Sequence, residues 1–135
     1  MQGVGGILGT IAWCTGALQT TINIDSCRYS GTLDSPSAGS NDYGGIMGFP
    51  KEACGPRTVN ITNCIYDGVM YLRGSDPDDN GGIVGYFKGN GGVSAETHIN
   101  IADCIVAGQF NMPNKSGQTV TGYVVSEASG SGNTG

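Results

Sequence analysis

The chain is poor in charge. Only 13% of its 135 residues are Asp, Glu, Lys or Arg, against ~25% in an average soluble domain. Basic residues are the scarcest: six Lys and Arg face eleven Asp and Glu, for a net charge of −5. That balance argues against a nucleic-acid or anionic-membrane partner, because phosphate recognition needs a basic surface. There is one His, His98, read as a solvated strand-edge side chain. No CxxC pair occurs. A nucleophilic Cys therefore lacks a choice of base, and a zinc site lacks clustered ligands. No apolar run approaches the ~18 residues of a membrane-spanning helix. The mildly apolar opening, residues 1–14, has no basic leader and is broken by Gly3, Gly5, Gly6 and Gly9, so it does not read as a signal peptide. Trp13 stands where a lipoprotein cleavage box requires a small residue.

Glycine is abundant: 25 residues, roughly a fifth of the chain against ~7% on average. Each Gly in a helix costs ~1 kcal/mol relative to Ala, so long helices are disfavoured. Collagen is excluded by the absence of a Gly-X-Y period. Disorder conflicts with a 38% hydrophobic content gathered into recurring Ile and Val runs.

These glycines are partly positional. Gly5-Gly6-Ile7-Leu8-Gly9 returns as Gly44-Gly45-Ile46-Met47-Gly48 and as Gly81-Gly82-Ile83-Val84-Gly85, with a decayed fourth copy at Thr121-Gly122-Tyr123-Val124-Val125. The second position of each copy falls at 6, 45, 82 and 122. A second block follows each of the first three. It begins Ile22-Asn23-Ile24-Asp25-Ser26-Cys27, then Val59-Asn60-Ile61-Thr62-Asn63-Cys64, then Ile99-Asn100-Ile101-Ala102-Asp103-Cys104. Two blocks share one drifting period of 37–40 residues, the signature of a repeat architecture. The intervening Ser/Gly/Pro/Asn-rich stretches read as loops.

Within Ile-Asn-Ile the aliphatics face one way and the Asn the other, as in a strand. The polar residue before each Cys breaks that alternation, which marks a bend or bulge. Gly31, Gly68 and Gly108 mark the next corner, where a positive φ or a close backbone approach is expected. One repeat then reads as one three-stranded coil of an all-β, right-handed parallel β-solenoid with about three and a half coils. The repeats span approximately 5–43, 44–80, 81–120 and a partial 121–125, with a Ser/Gly-rich tail at 126–135. Ile24, Ile61 and Ile101, and Cys27, Cys64 and Cys104, form its core ladders. A β-sandwich also suits short strands but offers no reason for the period.

The pairing of Gly-Gly-Ile-Val-Gly-Tyr with Asn-Cys-Ile-Tyr-Asp-Gly-Val resembles the GLUG repeat of bacterial surface adhesins and of the non-catalytic regions of immunoglobulin A-cleaving metalloproteases. The resemblance runs from Gly5 to about Val125. It departs at Met47 and Leu8, at Val106 where Tyr is usual, and in the weak fourth copy. It implies a non-enzymatic, structural or adhesive segment, extracellular or on the bacterial surface, without catalytic residues. Its partners would be flanking repeats, identical chains stacked end to end, or a host glycan or matrix protein. A carbohydrate-binding or polysaccharide-processing β-helix is the alternative. Such an enzyme would need paired carboxylates, or Ca²⁺ with a basic residue, and Arg57 and Arg73 near Asp67 or Asp76 are the groups to consider.

Two Cys pairings are open. Cys14–Cys27 and Cys54–Cys64 would close loops within coils, leaving Cys104 free. Alternatively Cys14 joins Cys54 and the ladder stays as buried thiols, which pack as small hydrophobes. Tyr29 and Tyr66 share a repeat position. With Trp13, Tyr43, Tyr71 and Tyr86 they make either a ligand-facing stripe or corner packing. Thr20, Thr21, Thr58 and Thr62 read as out of register, against a flat Thr array for ice. Asp76, Asp78 and Asn80 match the opening of a Ca²⁺ loop, although Phe87 sits where a bidentate Glu belongs. Weak Ca²⁺ binding there predicts a melting temperature that rises with millimolar Ca²⁺ and falls with chelator; an identical melt in both conditions removes the site.

Overall fold

Alternation of Ile or Val with polar residues builds short strands, and the 37–40-residue period dictates what each pairs with. A computed structural model describes residues 2–11, 19–35, 41–50, 57–72, 80–88, 97–111 and 124–129. The first coil contains β1 (Gln2–Gly5), β2 (Leu8–Ile11), β3 (Thr20–Asp25), β4 (Arg28–Tyr29) and β5 (Thr32–Ser35). The second repeats them as β6 (Asn41–Gly44), β7 (Met47–Pro50), β8 (Arg57–Thr62), β9 (Ile65–Tyr66) and β10 (Val69–Leu72). The third follows as β11 (Asn80–Gly81), β12 (Val84–Lys88), β13 (Thr97–Ala102), β14 (Ile105–Val106) and β15 (Gln109–Asn111), and β16 (Val125–Ser129) opens a fourth.

Every strand pairs in parallel with its counterpart one coil away, giving five sheets: β1-β6-β11, β2-β7-β12-β16, β3-β8-β13, β4-β9-β14 and β5-β10-β15. This is the expected parallel β-solenoid, with more strands per coil than expected. The Gly-Gly-Ile block is a bend between two strands rather than a strand. Its backbone still bonds between coils, as in Ile7 N–H to Ile46 O at 3.0 Å and Ile46 N–H to Ile83 O at 3.1 Å. Of the segment expected as a tail, residues 126–129 belong to β16.

Register is one-to-one. Ile24 lies on Ile61 and Ile61 on Ile101. Leu33, Met70 and Phe110 form another column, and Leu8, Met47, Val84 and Val125 a third, so Val124 takes the Ile7 position and the fourth copy lies one residue later than its sequence alignment. The middle coil is the best covered: Val59, Ile61, Cys64, Tyr66 and Met70 are fully buried. Arg57 also lies on the inner face of β8, only 2% exposed, and burial pulls its pKa below the ordinary guanidinium value.

Two backbone devices allow coils to stack at the ~4.8 Å of a strand pair. A Cβ on Gly45 would run into the carbonyl oxygen of Gly82 and the Tyr66 ring. The change of phase before each Cys is a left-handed residue: Ser26, Asn63 and Asp103 have φ of 54°, 52° and 54°, a region Asn and Asp enter more readily than most residues. Gly68, by contrast, answers to close approach, since its Cβ would meet the Gly31 carbonyl.

Gly45→Ala is expected to cost about 2–3 kcal/mol through overpacking against backbone. Ile61→Ala should cost about 2–5 kcal/mol as a core cavity, and Ile101→Ala, only partly buried at the third coil, less. Urea unfolding of the three variants checks the order.

Candidate functional site

The outer face of the β3-β8-β13 sheet carries the most regular polar array among the described residues. Asn23, Asn60 and Asn100 stand one above another because each occupies the outward position between two inward aliphatics. Their amides bond in sequence: Asn60 Nδ2 donates to Asn23 Oδ1 at 2.8 Å, and Asn100 Nδ2 to Asn60 Oδ1 at 2.8 Å. This is the amide ladder that in-register stacking favours. Its polarity is uniform, so Asn100 Oδ1 faces beyond the third coil as an acceptor and Asn23 Nδ2 beyond the first as a donor.

At the bend, Asp25 accepts from Thr62 Oγ1, from Asn63 Nδ2 at 2.9 Å and from Ser26 Oγ at 2.9 Å. These bonds, Thr62's first, hold its carboxyl below the ordinary value. One strand on, Arg28 pairs with Asp67 of the next coil, its Nε 3.0 Å from Oδ2. That guanidinium is the main reason the Asp67 carboxyl also lies low. Thr21 lies on Thr58 and Thr58 on His98. The two Thr are therefore in register, correcting the expectation that they are not, while Thr20 lies on Arg57 and Asp25 on Thr62. His98 is exposed on β13.

The ladder cysteines face inward. Cys27, Cys64 and Cys104 are free thiols, and their sulfurs donate to Asp25 O at 3.3 Å, Thr62 O at 3.1 Å and Ala102 O at 3.3 Å. The bridges expected to Cys27 and Cys64 are thus not what the structure contains. Each S–H instead bonds the carbonyl two residues back at its own left-handed bend, adding a second donor at Thr62 O and Ala102 O, which also accept Ser26 N–H and Asn63 N–H. Cys14 and Cys54, the other halves of those pairs, lie outside the described residues.

Tyr29 and Tyr66 do stack, with ring centroids 6.3 Å apart and planes 9° apart, but as packing. Tyr66 is fully buried and meets Phe110 edge-on at 6.0 Å, so it cannot face a ligand, and the stripe expectation is corrected for it. Tyr29 is half-buried, its hydroxyl 3.2 Å from Thr32 O. Tyr43 is buried and Tyr71 exposed. Tyr66 Oη has no hydrogen-bond partner. Burial, with Tyr29 beside it, pushes its pKa up to about 12.

Of the Ca²⁺ ligands, Asp76 and Asp78 lie outside the described residues. Asn80 is in β11, and its Oδ1 accepts the backbone N–H of Tyr43 at 3.3 Å, so this oxygen is turned to the neighbouring coil. Among the described residues no three His, Cys, Asp or Glu gather as a metal site. Arg73 is likewise undescribed, while Arg57 is inside the core and Asp67 is held by Arg28. Among the described residues no helix is long and apolar enough to cross a membrane.

No protein-family model, curated protein or solved structure matches the chain. Sequence reasoning placed the three Asn outward but missed their mutual bonding and the Asp25 cluster. The signal for the first was the invariant centre of Ile-Asn-Ile, Val-Asn-Ile and Ile-Asn-Ile; a cluster spanning two coils has no such local trace.

Tyr66 makes stability pH-dependent. Its folded pKa of about 12 exceeds the unfolded value of ~10, so its contribution is intact below pH ~10 and is lost as pH rises towards ~12. Two units correspond to roughly 3 kcal/mol. Tyr66→Phe, which removes an unpartnered hydroxyl, should match or exceed the natural chain in stability at pH 7 and flatten the decline in urea-measured stability above pH 10.

Proposed function

We propose that the chain is a non-enzymatic structural segment of a secreted or surface-anchored bacterial protein, a length of solenoid that spaces and presents other parts and accepts further coils at its ends. One column supports this best. Ile46 and Ile83 are fully buried, whereas their counterparts Ile7 in the first coil and Val124 in the fourth are 44% and 43% exposed. The same position is core where described coils lie on both sides and exposed apolar surface where one lies on a single side. Repeat proteins cover such ends with neighbouring or capping repeats.

The open ends are matched in polarity as well as in apolar character. The amide ladder presents a donor at one end and an acceptor at the other, so an added coil carrying the same Asn continues it in either direction. Unpaired strand edges take further strands readily. The GLUG resemblance and the low charge accord with a stalk of stacked coils, supplied by flanking repeats or by identical chains. Burial of Tyr66 removes half of the aromatic pair that a glycan-binding reading relied on.

The test is to append one further copy of the second repeat, residues 44–80, ahead of the first. The extended chain should melt several degrees higher and self-associate less by light scattering, and neither chain should release reducing ends from a glycan panel. An unchanged melt with a strictly monomeric parent would contradict stacking, and new reducing ends would contradict the non-enzymatic reading.

A further inference from the structure

Cys27, Cys64 and Cys104 occupy one position in three successive coils, each directly after the left-handed residue of the bend. The bonds from Ile65 N–H to Cys27 O and from Ile105 N–H to Cys64 O, both 2.8 Å, hold neighbouring Cys backbones about one strand spacing apart, ~4.8 Å. That falls within the ~4.4–6.8 Å Cα separation a disulfide requires.

The sulfurs also lean the same way. Cys64 Sγ is 3.6 Å from Ile24 O, and Cys104 Sγ is 3.5 Å from Ile61 O, each carbonyl belonging to the preceding coil. The Cys64 sulfur therefore projects towards the rung of Cys27. Burial first, and the neighbouring Cys64 next, push the Cys27 thiol up.

We propose that Cys27 and Cys64 are a disulfide-forming pair that staples the first coil to the second when the folded protein meets a low-molecular-weight disulfide. Cys27 is half-buried and Cys64 fully buried, which sets the order of events. The Cys27 thiolate attacks one sulfur of the oxidant, forming a mixed disulfide and expelling one small thiolate. The Cys64 thiolate then attacks the Cys27 sulfur, breaks the mixed bond and expels the second. The protons lost by the two cysteines go to the two small thiols, so one disulfide is reduced as one is made. Little backbone bonding is lost. Thr62 O, which gives up the Cys64 S–H, keeps the Ser26 N–H at 3.0 Å. Cys104 retains its thiol.

This pairing differs from either arrangement involving Cys14 or Cys54, and peptide mapping separates them. The folded natural chain is incubated with oxidised glutathione, quenched in acid, alkylated while unfolded, and cut with trypsin and an Asp-directed protease. Cleavage before Asp25 parts Cys27 from Cys14, and cleavage after Arg57 parts Cys64 from Cys54. The expected product joins the Cys27 and Cys64 peptides with Cys104 alkylated, and the oxidised protein melts several degrees higher until reduced. Full alkylation of all three ladder cysteines, a lasting glutathione adduct on Cys27, or a bridge from Cys27 or Cys64 to any other Cys would overturn the assignment.

Discussion

Every coil must lie one strand spacing from the next. Parallel pairing of β3 on β8 and of β8 on β13, residue for residue over six positions, leaves no slack for a side chain between coils at a tight corner. That is why Gly45 sits under Gly82 with the Tyr66 ring against it. It is also why the chain turns at Ser26, Asn63 and Asp103 through a left-handed residue. With the spacing set, like residues are forced together, and each repeat position is selected for compatibility with itself.

Self-compatibility explains which polar groups the stack tolerates. Asn amides carry a donor and an acceptor and so bond to their own kind without limit. A thiol fits a crowded inner rung while serving the bend carbonyl. Charges do not stack on themselves, and pairs among the described residues include the heterologous Arg28 with Asp67, and Asp25 with Thr62 and Asn63. Low overall charge is thus a consequence of the architecture. Tyr66 is tolerated for its ring while its hydroxyl stays unpartnered.

The period and the inward Ile columns were legible in the sequence because stacking copies the same requirement into every coil. The strand count was not. Gly-Gly-Ile looks strand-like by its apolar residue, yet Gly45 is there for the close approach that makes a bend. Thr21 and Thr58 read as out of register because Thr20 and Thr62 have no Thr counterpart; pairing follows the Ile columns. Of the two Cys arrangements open in the sequence, the bridges to Cys27 and Cys64 rest on spacing along the chain, whereas the ladder stays as thiols, as in the other arrangement, with the sulfurs bonded to the carbonyls of their own bends. Asn80 reads as part of an acidic loop by its neighbours, but its Oδ1 is turned to the strand partner at Tyr43.

Methyl-resolved NMR tests the stack most directly. With the isoleucine methyls labelled, Ile24 and Ile61 should show mutual cross-relaxation, and so should Ile61 and Ile101. Ile24 and Ile101, two rungs or about 10 Å apart, should show none. Direct Ile24–Ile101 contact, or absence of the two neighbouring contacts in the folded chain, would contradict the parallel in-register coil.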